Sequence, residues 1–121
     1  MTITALDHVQ LAMPPDGEER ARAFYRDVLG VPEVAKPVEL RGRGGCWFEN
    51  GDVKVHLGVE EDFRPARKAH PAFRVRDLPK LITRLQNAGC TIRSADLPGS
   101  RRIFTFDPFG NRIELIAESN H

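Results

Sequence analysis

Thiols are scarce in this chain: 121 residues hold only Cys46 and Cys90. Two well-separated cysteines give neither a disulfide framework nor the paired-thiolate spacing of a structural zinc site, and both read as reduced core residues. A charge excess is also missing. Eighteen basic residues face seventeen acidic ones for a net charge of +1, a balance that argues against a nucleic-acid binder. No apolar run approaches the ~20 residues that span a bilayer. The N-terminus, Met1-Thr-Ile-Thr-Ala-Leu-Asp-His8, has no basic n-region and no long h-region, so a signal peptide is not expected and the protein is expected to be cytoplasmic. With 40% hydrophobic and 29% charged residues, the composition is that of an ordinary globular domain with a real core.

A carboxylate stands out in the apolar run near the C-terminus. Asp107-Pro108-Phe109-Gly110-Asn111 is a turn signal, and Arg112–Ala117 reads as a strand with Glu114 among Ile113, Leu115 and Ile116. An acid in such a place is costly unless it is paired or holds a cation.

Taken in order, Ala5–Met13 alternates as a strand, with Leu6, Val9, Leu11 and Met13 apolar and His8 and Gln10 on the other parity. Pro14–Gly17 ends it. Glu18–Leu29 predicts a helix with Ala21, Phe24, Tyr25, Val28 and Leu29 on one face, stopped by Gly30 and Pro32. Glu33–Leu40 is a weak strand and Arg41–Gly45 a flexible turn. Cys46–Glu49 and Val53–Val59 form a hairpin around Asn50-Gly51-Asp52. There Val53, Val55, Leu57 and Val59 share one face, and Lys54, His56 and Gly58 the other. Glu60–Ala69, carrying Arg64, Arg67 and Lys68, reads as a polar linker.

The pattern then starts again. His70–Val75 is a strand. Asp77 caps a helix running to Ala88 with Leu78, Leu81, Ile82 and Leu85 as its stripe, and Gly89 stops it. Thr91–Arg93 and Arg102–Phe106 are strands, Leu97–Ser100 is a turn, and Glu118–His121 is a frayed tail. His8 and His70 are 62 positions apart, and His56 and Glu114 are 58. The expected fold is therefore α+β in a single domain, 1–121: two βαβββ modules, about 1–60 and 69–118, whose mixed sheets curl into an open, barrel-like cup with the helices outside.

By parity His8, His56, His70 and Glu114 lie on the faces away from the helices. Three imidazoles and a carboxylate suit one divalent ion of zinc, nickel, manganese, cobalt or iron. Polar side chains are also ordinary on the wet face of a strand, so spacing alone leaves both readings open. The cluster Arg64, Arg67, Lys68, with Arg102, is equally a solvated surface or a clamp for a substrate anion. Of the adjacent Trp47 and Phe48, one packs the core and the other faces the cup.

The segments Asp7-His8-Val9-Gln10-Leu11, Arg22-Ala23-Phe24-Tyr25-Arg26-Asp27-Val28-Leu29-Gly30 and Asp107-Pro108-Phe109-Gly110-Asn111-Arg112-Ile113-Glu114-Leu115 resemble the vicinal oxygen chelate superfamily. That group includes glyoxalase I, fosfomycin-resistance proteins, extradiol dioxygenases and bleomycin-resistance proteins. The resemblance covers nearly the whole chain and implies a metal cup between paired βαβββ modules, commonly in a homodimer. It makes His8, His70 and Glu114 metal ligands, puts His56 where glyoxalase I has a glutamate, and leaves Glu114 as the only carboxylate able to act as a catalytic base. The implied activity is metal-dependent lyase, isomerase or transferase chemistry on a small vicinal-oxygen substrate, with Arg64, Arg67, Lys68, Trp47 and Arg102 on the substrate side. The alternatives are an extradiol-type dioxygenase using His8, His70 and Glu114, where His121 in the tail would be the one remaining histidine, and a non-catalytic antibiotic-binding resistance protein.

Overall fold

The structure is a computed structural model that describes residues 1–118; residues 119–121, where most of the expected tail and His121 fall, lie outside the described residues. The chain is α+β and forms two compact units, Met1–Arg64 and Pro65–His121. Among the described residues no helix is long and apolar enough to cross a membrane.

In the first unit the order is β1 (Val9–Met13), α1 (Glu18–Ala21), a π-helical segment (Arg22–Val28), β2 (Glu33–Val34), a 3₁₀ segment (Val38–Arg43), β3 (Cys46–Asn50) and β4 (Val53–Val59). The sheet runs β1-β4-β3-β2, with β1 parallel to β4 and the other pairs antiparallel. The second unit repeats the plan: β5 (Ala72–Val75), α2 (Leu78–Asn87), β6 (Ile92–Ser94), β7 (Arg102–Phe106) and β8 (Arg112–Ala117). Its sheet runs β5-β8-β7-β6, with β5 parallel to β8. Both expected βαβββ modules are present, and neither sheet closes on itself. Each is an open sheet with two edge strands, as expected.

Three local expectations change. The strands expected to carry His8 and His70 begin one and two residues after them, at Val9 and Ala72, and residues 1–8 are exposed. Leu6, expected on the apolar face, is 79% exposed. The first helix is α-helical only to Ala21 and then widens into the π form, with Leu29 N–H bonding the Phe24 carbonyl five residues back at 2.8 Å. The adjacent Phe24 and Tyr25 of this segment are both buried. The weak strand is only two residues long. After Pro37, which has no N–H to offer a ladder, the chain turns into the 3₁₀ segment with Leu40 N–H bonding the Pro37 carbonyl at 2.9 Å.

Each helix covers an apolar sheet face. In unit one Leu11, Met13, Phe48, Val55 and Leu57 are buried with Phe24 and Tyr25. In unit two Ile103, Ile113 and Leu115 are buried, as are Leu78, Leu81 and Leu85 of α2. Asp77 caps α2 by accepting a hydrogen bond from Lys80 N–H at 3.2 Å. The other end is a Schellman motif: Gly89 has φ +77°, and Cys90 N–H reaches the Leu85 carbonyl at 2.9 Å.

The buried Cys46 carries a pH signature. Burial pushes its thiol up to about 11 from the ordinary 9.0. A raised pKa in the folded state stabilises the protein below pH 9 and loses that contribution as pH rises toward 11, because the unfolded thiol ionises first. Stability measured by denaturation at pH 8 and pH 11 should therefore fall by on the order of 2 kcal/mol more in the parent than in Cys46→Ala; parallel pH profiles would refute the assignment.

Candidate metal centre

The repeat is exact at the positions of the expected ligands. On β4, His56 pairs with Gln10, two residues after His8. On β8, Glu114 pairs with Ala72, two residues after His70. In each unit the leading histidine and the last-strand residue thus share the face opposite the buried apolar side chains.

In unit two they touch. His70 Nε2 lies 2.9 Å from Glu114 Oε1. The other ring nitrogen, Nδ1, lies 2.8 Å from the Lys68 carbonyl, which can only accept, so Nδ1 carries the hydrogen. In the neutral ring Nε2 therefore presents a lone pair to a carboxylate oxygen, and the approach requires a cation between them, a proton or a metal ion. Glu114 is only 7% exposed. Its second oxygen, Oε2, accepts from Arg102 Nη1 at 2.8 Å. Arg102 is held in turn by Ser100 Oγ, which accepts from Nη2 at 2.9 Å and Nε at 3.2 Å. Asp96 Oδ1 takes the Arg102 backbone N–H at 2.9 Å. A cleft of about 500 Å³ opens beside the carboxylate, lined by Ser94, Ala95, Asp96, Leu97, Arg102, Phe104 and Glu114.

Unit one brings its two histidines face to face, with ring centroids 4.3 Å apart. The Trp47 ring stacks on His56 at 3.7 Å and an interplanar angle of 2°. Trp47 and Phe48 do point to opposite faces, Phe48 into the core and Trp47 onto His56. His56 Nε2 lies 2.7 Å from Glu49 Oε2, while its buried Nδ1 has no hydrogen-bond partner. His8 Nδ1 lies 2.9 Å from Asp7 Oδ1, and that bond, helped by Lys54, holds the exposed Asp7 carboxyl below its ordinary value. All three histidines are thus anchored through one ring nitrogen to an oxygen acceptor, and the second nitrogen of His70 faces Glu114. This is how metal-binding imidazoles are oriented, and the donor set fits a divalent ion. Within neither unit do three or more His, Cys, Asp or Glu side chains of the described residues come together as a preformed site.

The motif from Asp107 to Asn111 sets the geometry of the His70–Glu114 pair. Asp107 Oδ1 accepts from Phe109 N–H and Asn111 N–H, both at 2.9 Å, and Oδ2 accepts from Asn111 Nδ2 at 2.9 Å. Asn111 Oδ1 then takes Ala66 N–H at 2.9 Å, and Arg112 N–H reaches the Ala66 carbonyl at 2.9 Å. Farther along β8, Glu114 N–H bonds the Pro71 carbonyl at 3.0 Å. The segment that carries His70 is thereby sewn to the strand that carries Glu114. Gly110 makes the turn at φ +93°, and a Cβ there would meet Pro65 at 3.2 Å.

A glyoxalase/bleomycin resistance protein/dioxygenase superfamily model matches residues 5–115. The chain belongs to this superfamily. The chain is 27% identical over 120 residues to the glutathione transferase FosA of Serratia marcescens, covering 93% of this chain and 80% of that protein. A glyoxalase family protein from Bacillus anthracis has 43% identity and a TM-score of 0.93, with 98% of each chain covered. The fosfomycin resistance protein FosX of Listeria monocytogenes shares the fold, with a TM-score of 0.78 at 16% identity, over 98% of this chain and 96% of that one.

The other expected site residues of this superfamily member fall in different settings. Arg64, Arg67 and Lys68 are exposed, and only the Lys68 backbone touches the candidate site, through its carbonyl. Arg102 lies beside Glu114, with its guanidinium engaged by Glu114 and Ser100. The sequence reading passed over Asp7, Glu49, Phe104 and Arg112. Phe104 pairs directly with Glu114 across the sheet, and its ring meets His70 edge to face at 5.2 Å. Arg112 has the same parity as Glu114, which was the available signal.

Proposed function

We propose that the protein is a metal-dependent enzyme of the lyase, isomerase or transferase type, acting on a small substrate with two neighbouring oxygens. The observation that carries this is His70 Nε2 facing Glu114 Oε1 at 2.9 Å while Nδ1 is taken by the Lys68 carbonyl, an arrangement completed by a cation. His70 and Glu114 are the proposed core ligands, with His8 and His56 as the further imidazole donors. A divalent ion held by them would supply Lewis-acid polarisation of the two substrate oxygens.

The protein's own contribution is orientation and proton transfer. Arg102 fixes Oε2 of Glu114, so Oε1 is the atom left to bind or to accept a substrate proton, and Glu114 is the proposed catalytic base. Trp47 and Arg102 are the proposed walls for the substrate. The exposed Arg64, Arg67 and Lys68 are proposed to draw an anionic substrate toward them. Likeness to a glutathione transferase supports the transferase branch. Exposed Ile3 and Leu6, 74% and 79% accessible, support pairing with a second copy.

The test is an assay of protein loaded with Mn²⁺, Zn²⁺, Ni²⁺ or Fe²⁺ against EDTA-treated protein. Its substrates are an epoxide with a thiol, a hemithioacetal, and catechol with oxygen. We expect turnover of one of the first two, lost with EDTA and in His70→Ala, from a species near twice the 13.6 kDa chain mass. Oxygen uptake with catechol would instead make it a dioxygenase. Tight ligand binding without turnover, unaffected by EDTA, would make it a binding protein.

A further inference from the structure

By register Arg74, Arg93, Arg102 and Arg112 share the face of Glu114, and the two on β7 and β8, Arg102 and Arg112, are in opposite states. The guanidinium of Arg102 is engaged on three sides by Glu114 and Ser100. Arg112 donates no side-chain hydrogen bond and makes no ion pair among the described residues, and its Nε is buried without a partner. What holds Arg112 is a ring: its guanidinium carbon stands 4.7 Å over Phe104. A buried N–H left unmade is costly, and a cation stacked on an aromatic face keeps its N–H edges free for a planar anion.

We propose that Arg112, seated on Phe104, is an anion subsite that selects the substrate, taking its carboxylate or its phosphonate or phosphate group. The second half of the proposal, that the other end of the same ligand reaches His70 and Glu114, rests on the metal reading above. Three features join the two halves. Arg112 and Glu114 are two residues apart on one strand face, about 7 Å along the backbone. Phe104, the cross-strand partner of Glu114, is the common wall, since His70 meets its ring at 5.2 Å and Arg112 covers it. Arg102 offsets the charge of Glu114, and Arg112, with no acid paired to it, stands next along the same strand face. The span fits a ligand with roughly three to five heavy atoms between its anionic group and its paired oxygens.

Two arms test this. In the first, EDTA-treated protein labelled with ¹⁵N is titrated with methylphosphonate, acetate and neutral acetamide. The arginine Nε–H resonance absent from Arg112→Gln is followed. We expect a saturable shift with the anions, the tighter one naming the ligand class, and none with acetamide. No shift at 50 mM of either anion overturns the subsite. In the second, Mn²⁺-loaded protein binds acetohydroxamate, succinohydroxamate and phosphonoacetohydroxamate. We expect an anionic tail to improve affinity at least tenfold in the parent, and Arg112→Gln to erase that preference while holding acetohydroxamate within threefold. Arg112→Lys, which keeps the charge if the Gln protein folds poorly, retains part of it. Equal weakening of all three by Arg112→Gln overturns the proposal. A shift in the first arm with no hydroxamate binding in the second leaves the subsite standing and removes the metal reading.

Discussion

Asp107→Ala should lose about 3 kcal/mol of stability and lower the midpoint of thermal unfolding by roughly 10 °C. The carboxylate is 4% exposed and accepts from Phe109 N–H, Asn111 N–H and Asn111 Nδ2. Truncation leaves those donors buried and unpaired, which costs more than the net value of the bonds themselves. Asp107→Asn keeps an acceptor for the two backbone donors but sets an amide N–H₂ against Asn111 Nδ2, so an intermediate loss is expected. The damage should also reach the site. Asn111 holds Ala66 through its side chain, so loosening the turn frees the segment that presents His70. A calorimetric scan checks the first claim, and metal affinity of the variant below its melting range checks the second. A change in midpoint of less than about 2 °C would mean that the turn is not the clasp described here.

Much of this fold could be read from residue order because the repeat, the alternation and the punctuation agreed with one another. Asp77 and Gly89 bracket α2 as capping chemistry requires, and Asn50-Gly51-Asp52 does close the hairpin of β3 and β4. What could not be read was set by packing. The π-helical widening after Ala21 leaves no mark in the apolar spacing that distinguishes it from a regular turn. The expected weak strand Glu33–Leu40 ends early because Pro37 offers no ladder donor, and Val38–Arg43 takes up the 3₁₀ form instead.

The site was legible in a similar proportion. Parity put His8 and His56 on one face and His70 and Glu114 on another, and the structure brings each pair into contact. Arg112 has the parity of Glu114 but stands inside the Asp107–Leu115 motif with no feature of its own to mark it. Arg64, Arg67 and Lys68 stand out in the sequence by their clustering, and all three are exposed. The anchors Asp7, Glu49 and the Lys68 carbonyl were beyond reach of any pattern, because each depends on a side-chain direction that only the folded chain fixes.

The largest functional effect belongs to Glu114→Gln. A neutral amide still accepts from Arg102, so the fold should persist, but the one carboxylate beside His70 is gone. Affinity for a divalent ion should fall by about 100-fold or more, as expected when a charged ligand, rather than its supporting partner, is removed. The direct measurement is elemental analysis of parent and Glu114→Gln proteins, purified without a metal-affinity tag and titrated with Mn²⁺ and Zn²⁺. About one equivalent of ion per chain in the parent, and less than about 0.1 in the variant with an unchanged circular dichroism spectrum, is the result expected of a centre built on His70 and Glu114. A parent protein below about 0.1 equivalent that takes up no ion on titration, or a variant that binds as well as the parent, would contradict it.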